Sequence, residues 1–119
     1  MNLLMDVYGV TSKYPRSEMF GLTFQTKKSC VSIPSNIAEG FRRQRRSISS
    51  YLNHLDISLG SEGELYTQLH AALRLGFIKE KDLLRPLDEL QQIGRMLNAL
   101  IISLEPKERE QLAQRARRH

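Results

Sequence analysis

The sequence predicts an all-α protein, an antiparallel up-down-up-down four-helix bundle with a proline-kinked second helix. Three observations predict it. Leu83, Leu87, Leu90, Gly94, Leu97, Ile101 and Leu104 recur at alternating spacings of four and three, a heptad seam that gives one long helix an apolar stripe to bury. A second seam, Ile48, Leu52, Leu55, Leu59, Glu62, Tyr66, Leu69 and Leu73, repeats that spacing upstream. The intervening segments, 15–20, 42–46 and 76–81, are short, and short connections between long helices make neighbours antiparallel.

Each element has its own signals. Leu3, Val7, Val10 and Tyr14 mark a short first helix, which Pro15 closes because the residue before a proline is pushed out of the helical region. Leu22, Thr26, Cys30, Ile33, Ile37 and Phe41 mark a second helix with Pro34 inside it. Proline lacks an N–H and its ring crowds the preceding turn, so a kink is expected there, with Ser32, Ser35 and Asn36 satisfying the freed backbone groups locally. Ser47 is the expected N-cap of the third helix and Gly76 its C-terminal stop. After Glu105-Pro106 the apolar pattern fades, and 106–119 reads as a frayed or disordered basic tail on a bundle spanning 1–105.

A chain of 119 residues with 40% hydrophobic and 26% charged content supports one domain with a real core. No apolar stretch approaches the ~18 residues of a membrane span, and the N-terminus lacks a basic region followed by a cleavage site, so a cytoplasmic protein is expected. Cys30 is the only cysteine, which excludes an intrachain disulfide and a cysteine-based metal cluster; among Val31 and Ile33 it reads as a small core residue.

Charge is where the sequence departs from the ordinary. Lys27, Lys28, Arg42, Arg43, Arg45 and Arg46 stand against Glu39 alone in 27–46, a local excess of five that equals the net charge of the whole chain. Segment 47–106 is mildly acidic, and 107–119 is basic again through Lys107, Arg109, Arg115, Arg117 and Arg118. Clustered basic residues gain affinity for polyanions by releasing counterions from phosphates, so these six residues of 27–46 are the candidate nucleic-acid contacts. The plainer reading is a solvated basic turn that keeps the protein soluble.

Convergent catalytic groups are not found. His54 and His70 are sixteen residues apart on one helix and face nearly opposite sides at ~100° per residue. His54 and Asp56 lack helical i, i+3 or i, i+4 spacing. No phosphate loop, nucleophile elbow or metal-ligand spacing appears, so the expectation is a protein without catalytic activity, cofactor or metal. Gly60-Ser61-Glu62-Gly63 sits mid-helix and reads as small residues for close helix approach. Glu62, on an apolar seam, is expected to meet an arginine, a lysine or a serine-rich backbone turn from a neighbouring helix or subunit, the Ser32–Asn36 turn and the basic loop being the candidates, because an unpaired buried carboxylate is costly.

Phe20-Gly21-Leu22, Gln25, Lys27-Lys28, the run Val31-Ser32-Ile33-Pro34-Ser35-Asn36-Ile37-Ala38-Glu39-Gly40, Leu59-Gly60-Ser61, Glu64-Leu65, Gln68-Leu69 and Leu75-Gly76 resemble the four-helix bundle family of proteins encoded in 23S rRNA intervening sequences. On this resemblance Ser32, Pro34, Ser35, Asn36, Glu39, Gly40, Gly60, Ser61 and Glu64 are the family motif. The family is similar in fold to the accessory variability determinant of diversity-generating retroelements, a basic bundle that forms a pentameric ring and binds nucleic acid and a reverse transcriptase. The resemblance therefore implies a homo-oligomer, pentameric by analogy, with RNA or DNA and a protein such as a reverse transcriptase as partners. Three departures accompany it: the first helix is short, with Met1 read as a late start, Glu62 stands where an apolar residue is usual, and Tyr66 where an acidic one is common. The alternative function is a protein-interaction scaffold whose basic loop meets an acidic protein surface.

Overall fold

In the computed structural model, which describes residues 2–118, four α-helices account for nearly all of the chain and no strand occurs among the described residues. They are α1 (Asn2–Thr11), α2 (Leu22–Arg43), α3 (Ile48–Arg74) and α4 (Glu80–Arg118), with a single 3-10 turn at Arg16–Glu18 between the first two. Met1, read above as a late start, lies outside the described residues. Each of α1 and α3 touches both α2 and α4, while the backbones of the diagonal pairs stay apart. The helices are therefore arranged in chain order around the core.

The apolar periodicity explains which faces turn inward. Leu3, Val7, Val10 and Tyr14 are all buried, and they pack with Cys30 and Ile33 of α2, Leu65, Leu69 and Ala72 of α3, and Leu83 and Leu90 of α4. A second cluster, Tyr51, Leu52, Leu55, Leu97 and Leu104, fills the other end between α3 and α4. Ile37 and Ile93 touch both clusters and join them into one core. Burying a leucine or isoleucine fully is worth ~1.5–3 kcal/mol. These residues hold the fold.

The helix ends follow local chemistry. Ser47 Oγ accepts from the Ser50 N–H at 3.0 Å and caps α3. At the other end Gly76 adopts φ +80, its N–H bonds Leu73 O at 3.0 Å, and Phe77 N–H bonds Ala72 O at 3.0 Å. That paired pattern is a Schellman stop, and it needs a residue comfortable in the left-handed region.

Two expectations from the seams are corrected. Tyr66 is not core: it is half exposed and packs against the His70 ring at 4.4 Å, while Leu65 takes the buried place, because α3 has to serve α2 and α4 at once and its apolar stripe is broader than one heptad line. Phe41 is likewise exposed and meets Tyr51 edge-on, with ring centroids 6.2 Å apart.

The larger correction concerns 106–119. Instead of fraying after Glu105, α4 runs unbroken through Pro86 and Pro106 to Arg118, 39 residues that at ~1.5 Å each span the 58 Å long axis of the molecule. The carbonyl that Pro106 leaves without a helical donor belongs to Ile102; both residues are exposed, so water can take that carbonyl's bond and the helix continues.

Candidate nucleic-acid interface

Arg42 and Arg43 occupy the last turn of α2, where cations are favoured by the helix dipole, and Arg45 and Arg46 follow in the turn that leads to α3. Glu39 lies one turn back on the same face. It accepts from Arg43 Nε at 2.8 Å and lies 3.8 Å from Arg42 Nη1. The Arg43 hydrogen bond, aided by the charges of Arg43 and Arg42, holds the Glu39 carboxyl below the usual carboxylate range. Glu39 orients two arginines without neutralising the group, since Arg45 and Arg46 are exposed and have no ion pair among the described residues. All four arginines, with Glu39, Ser47 and Ser50, line an open basin of about 910 Å³.

The end of α4 joins this surface. The Ile48 N–H donates to Gln111 Oε1 at 2.8 Å, which ties α4 to the first residue of α3, immediately after the arginine turn. Arg115 and Arg118 lie four and seven residues beyond Gln111, on the same helical face and therefore past the N-terminus of α3. The basic C-terminal segment is thus an ordered extension of the arginine end. Its lost apolar periodicity reflects where α3 stops, and a polar tie such as that of Gln111 leaves no trace in a hydrophobic seam.

Lys27 and Lys28 do not join the site. They lie toward the other end of α2, with Lys28 ~21 Å along the helix from Arg42 at ~1.5 Å per residue. Lys27 Nζ sits over the Tyr8 ring, 4.8 Å from its centroid, a cation–π contact between α1 and α2.

The motif residues of α2 face α3 instead of solvent. Ser29 Oγ donates to Glu64 Oε2 at 3.5 Å, Ser32 Oγ and Ser61 Oγ are 2.7 Å apart, and Ser58 Oγ donates to the Ile33 carbonyl at 2.9 Å. Asn36 Nδ2 donates to Ser32 O and Ser32 Oγ, at 3.0 and 3.1 Å, while its Oδ1 is 3.1 Å from His54 Nδ1. An amide oxygen only accepts, so His54 Nδ1 carries the proton in this pair. Ser35 and Glu39 are the exceptions: Glu39 faces Arg42 and Arg43, and Ser35 is exposed, its hydroxyl returning to the Val31 carbonyl at 2.9 Å. Neither Ser35 nor Asn36 reaches the Cys30 carbonyl, the group Pro34 deprives of its helical donor; they serve the carbonyls of Val31 and Ser32. The partners descend along α3 as they ascend along α2. The motif residues that face α3 form a polar ladder along which these two helices register.

Gly40 completes the ladder. A Cβ there would lie 2.8 Å from His54 Cβ and 2.9 Å from Tyr51 Cδ1, closer than side chains pack. Close helix approach was expected at Gly60 and Gly63, and that is corrected: nothing lies within 4 Å of a Cβ at either, because both point outward while Ser61 takes the interface. For Glu62 the intrachain half of the expectation is corrected: within its own chain it meets neither a basic residue nor the Ser32–Asn36 turn; among the described residues it makes no hydrogen bond or ion pair, its carboxyl packs over Gly94, and burial raises its pKa.

A family model described as 23S rRNA-intervening sequence protein matches residues 1–99. The chain belongs to that family. The match covers the first three helices and α4 as far as Ala99, including the whole ladder and the arginine turn, and stops short of the Gln111 contact. No curated protein matches the sequence. No helix among the described residues is long and apolar enough to cross a membrane.

Proposed function

We propose that this family member is a non-enzymatic, cytoplasmic, self-assembling up-down-up-down bundle, bent at Pro34, that grips nucleic-acid backbone with its arginine end. The opposed pairings along α2 and α3 and the missing donor for the Cys30 carbonyl support the architecture. One observation carries the functional reading: Arg42, Arg43, Arg45 and Arg46 line one basin, and the bond from Ile48 to Gln111 holds α4, just before its basic last turns, beside the turn that carries them.

The chemistry favours phosphates over bases. Guanidinium groups form paired hydrogen bonds to phosphate oxygens, and among the described residues Phe41 is the one exposed aromatic side chain near the basin, too little for a stacking platform on successive bases. Binding of this kind is insensitive to sequence and weakens steeply with salt. Assembly into a ring, pentameric by analogy with the fold relative, would repeat the basin on every subunit and raise avidity. Electrophoretic and fluorescence titrations with random RNA and DNA test the reading; no affinity for either at low salt would turn it toward an interaction scaffold.

A further inference from the structure

We propose that copies of this chain associate side by side, the aromatic and basic face of α1 and α2 on one copy docking on the acidic and apolar face of α3 and α4 on the next. The inference rests on the self-assembly part of the reading above and assigns its interface.

The first face is a concavity of about 500 Å³ around Tyr8, Phe20, Phe24 and Val31, rimmed by Lys27 and Lys28. Phe20 is 89% exposed and Phe24 52%, a cost to a chain that stayed alone in water. The second is a concavity of about 470 Å³ around Tyr66, Leu84 and Leu87, with Glu62 and Asp88 as its charges. Leu84 is 73% exposed. Two cations with aromatic rings on one side thus match two carboxylates with leucines on the other.

Position decides the mode of association. The order of the helices around the core puts the α1/α2 face and the α3/α4 face on opposite sides of the bundle. They also lie at one level along it, because Ser29 meets Glu64 across α2 and α3 while Glu62 covers Gly94 across α3 and α4. Neither face suits itself, since self-pairing would bring like charges together. An interface between two different faces is heterologous, and repetition closes a ring or extends a filament. With both faces at one level, copies stand side by side, and in a closed ring every copy keeps the same direction and all arginine ends gather on one rim. Glu62, without a partner among the described residues of its own chain, gains Lys27 or Lys28 of the neighbour.

The test uses two exposed substitutions, Phe20→Asp and Leu84→Asp, with sedimentation velocity at micromolar concentration in the absence of nucleic acid and circular dichroism to verify helix content. Each variant alone should be monomeric. Each keeps one face intact, so an equimolar mixture should give a one-to-one dimer and nothing larger. Lys28→Glu should weaken assembly at least tenfold, and adding Asp88→Lys to the same chain should restore it. A wild-type monomer would overturn both the assembly reading and this interface. A wild-type oligomer unaffected by either aspartate, or a mixture that stays monomeric, would overturn the interface alone.

Discussion

Gln111 accepts a hydrogen bond from the backbone N–H of Ile48 across 2.8 Å, and this contact fixes the last turns of α4 beside the arginine turn. Ile48 opens α3, where N–H groups lack helical partners; Ser47 serves the Ser50 amide and Gln111 serves that of Ile48. Gln111→Ala should cost ~0.5–1.5 kcal/mol, the usual net worth of such a bond. Hydrogen exchange should quicken at Ile48 and across 107–118, and affinity for nucleic acid should fall with the fold intact. Unchanged exchange in 107–118 would mean that the contact does not hold α4 in place.

The glycines give a paired test. Gly40→Ala forces a Cβ to 2.8 Å from His54 Cβ across the α2–α3 interface and should destabilise by ~1–3 kcal/mol, the range for overpacking. Gly60→Ala meets nothing and should stabilise by ~0.5–1 kcal/mol through helix propensity. Urea denaturation of both variants checks the opposite signs.

Much of this was legible in the sequence, and the exceptions have physical causes. The apolar residues of α1 announced the core because each lies on one narrow stripe, and Ser47 and Gly76 announced the ends of α3 because capping is local chemistry. Tyr66 misled because a helix between two neighbours buries more than one heptad line. Gly60 misled because glycine favours close approach only on the facing side, and a one-residue difference in register moves a helical side chain by ~100°. The arginine turn was visible as charge. Its continuation through Arg115 and Arg118 was not, because a hydrogen bond between Ile48 and Gln111 joins residues far apart in the chain and leaves no periodicity.

Stability should also report on Glu89. Burial, then the neighbouring Asp6 carboxyl, push its carboxyl up to about 7 from an ordinary 4.5, with Arg85 opposing and Asp88 adding to the rise. Between those values the folded state keeps a proton that the unfolded state releases, so this group's contribution falls as pH rises through the window. Glu89→Gln should remove that loss: relative to wild type, the variant should gain in Tm between pH 5 and pH 8. A wild-type-to-variant difference that stays constant over this range would contradict the assignment.

If the arginine end binds phosphate backbone, the salt dependence of binding reports it most directly. Affinity for a random duplex DNA should fall linearly on a log-log plot against salt. Replacing Arg42, Arg43, Arg45 and Arg46 with glutamine should reduce that slope by up to ~3.6, at ~0.9 for each phosphate no longer neutralised, and weaken binding to every sequence alike. Helix content should not change, because exposed arginines add little to stability. A quadruple variant that binds with the wild-type slope and affinity would contradict phosphate recognition by this end of the bundle.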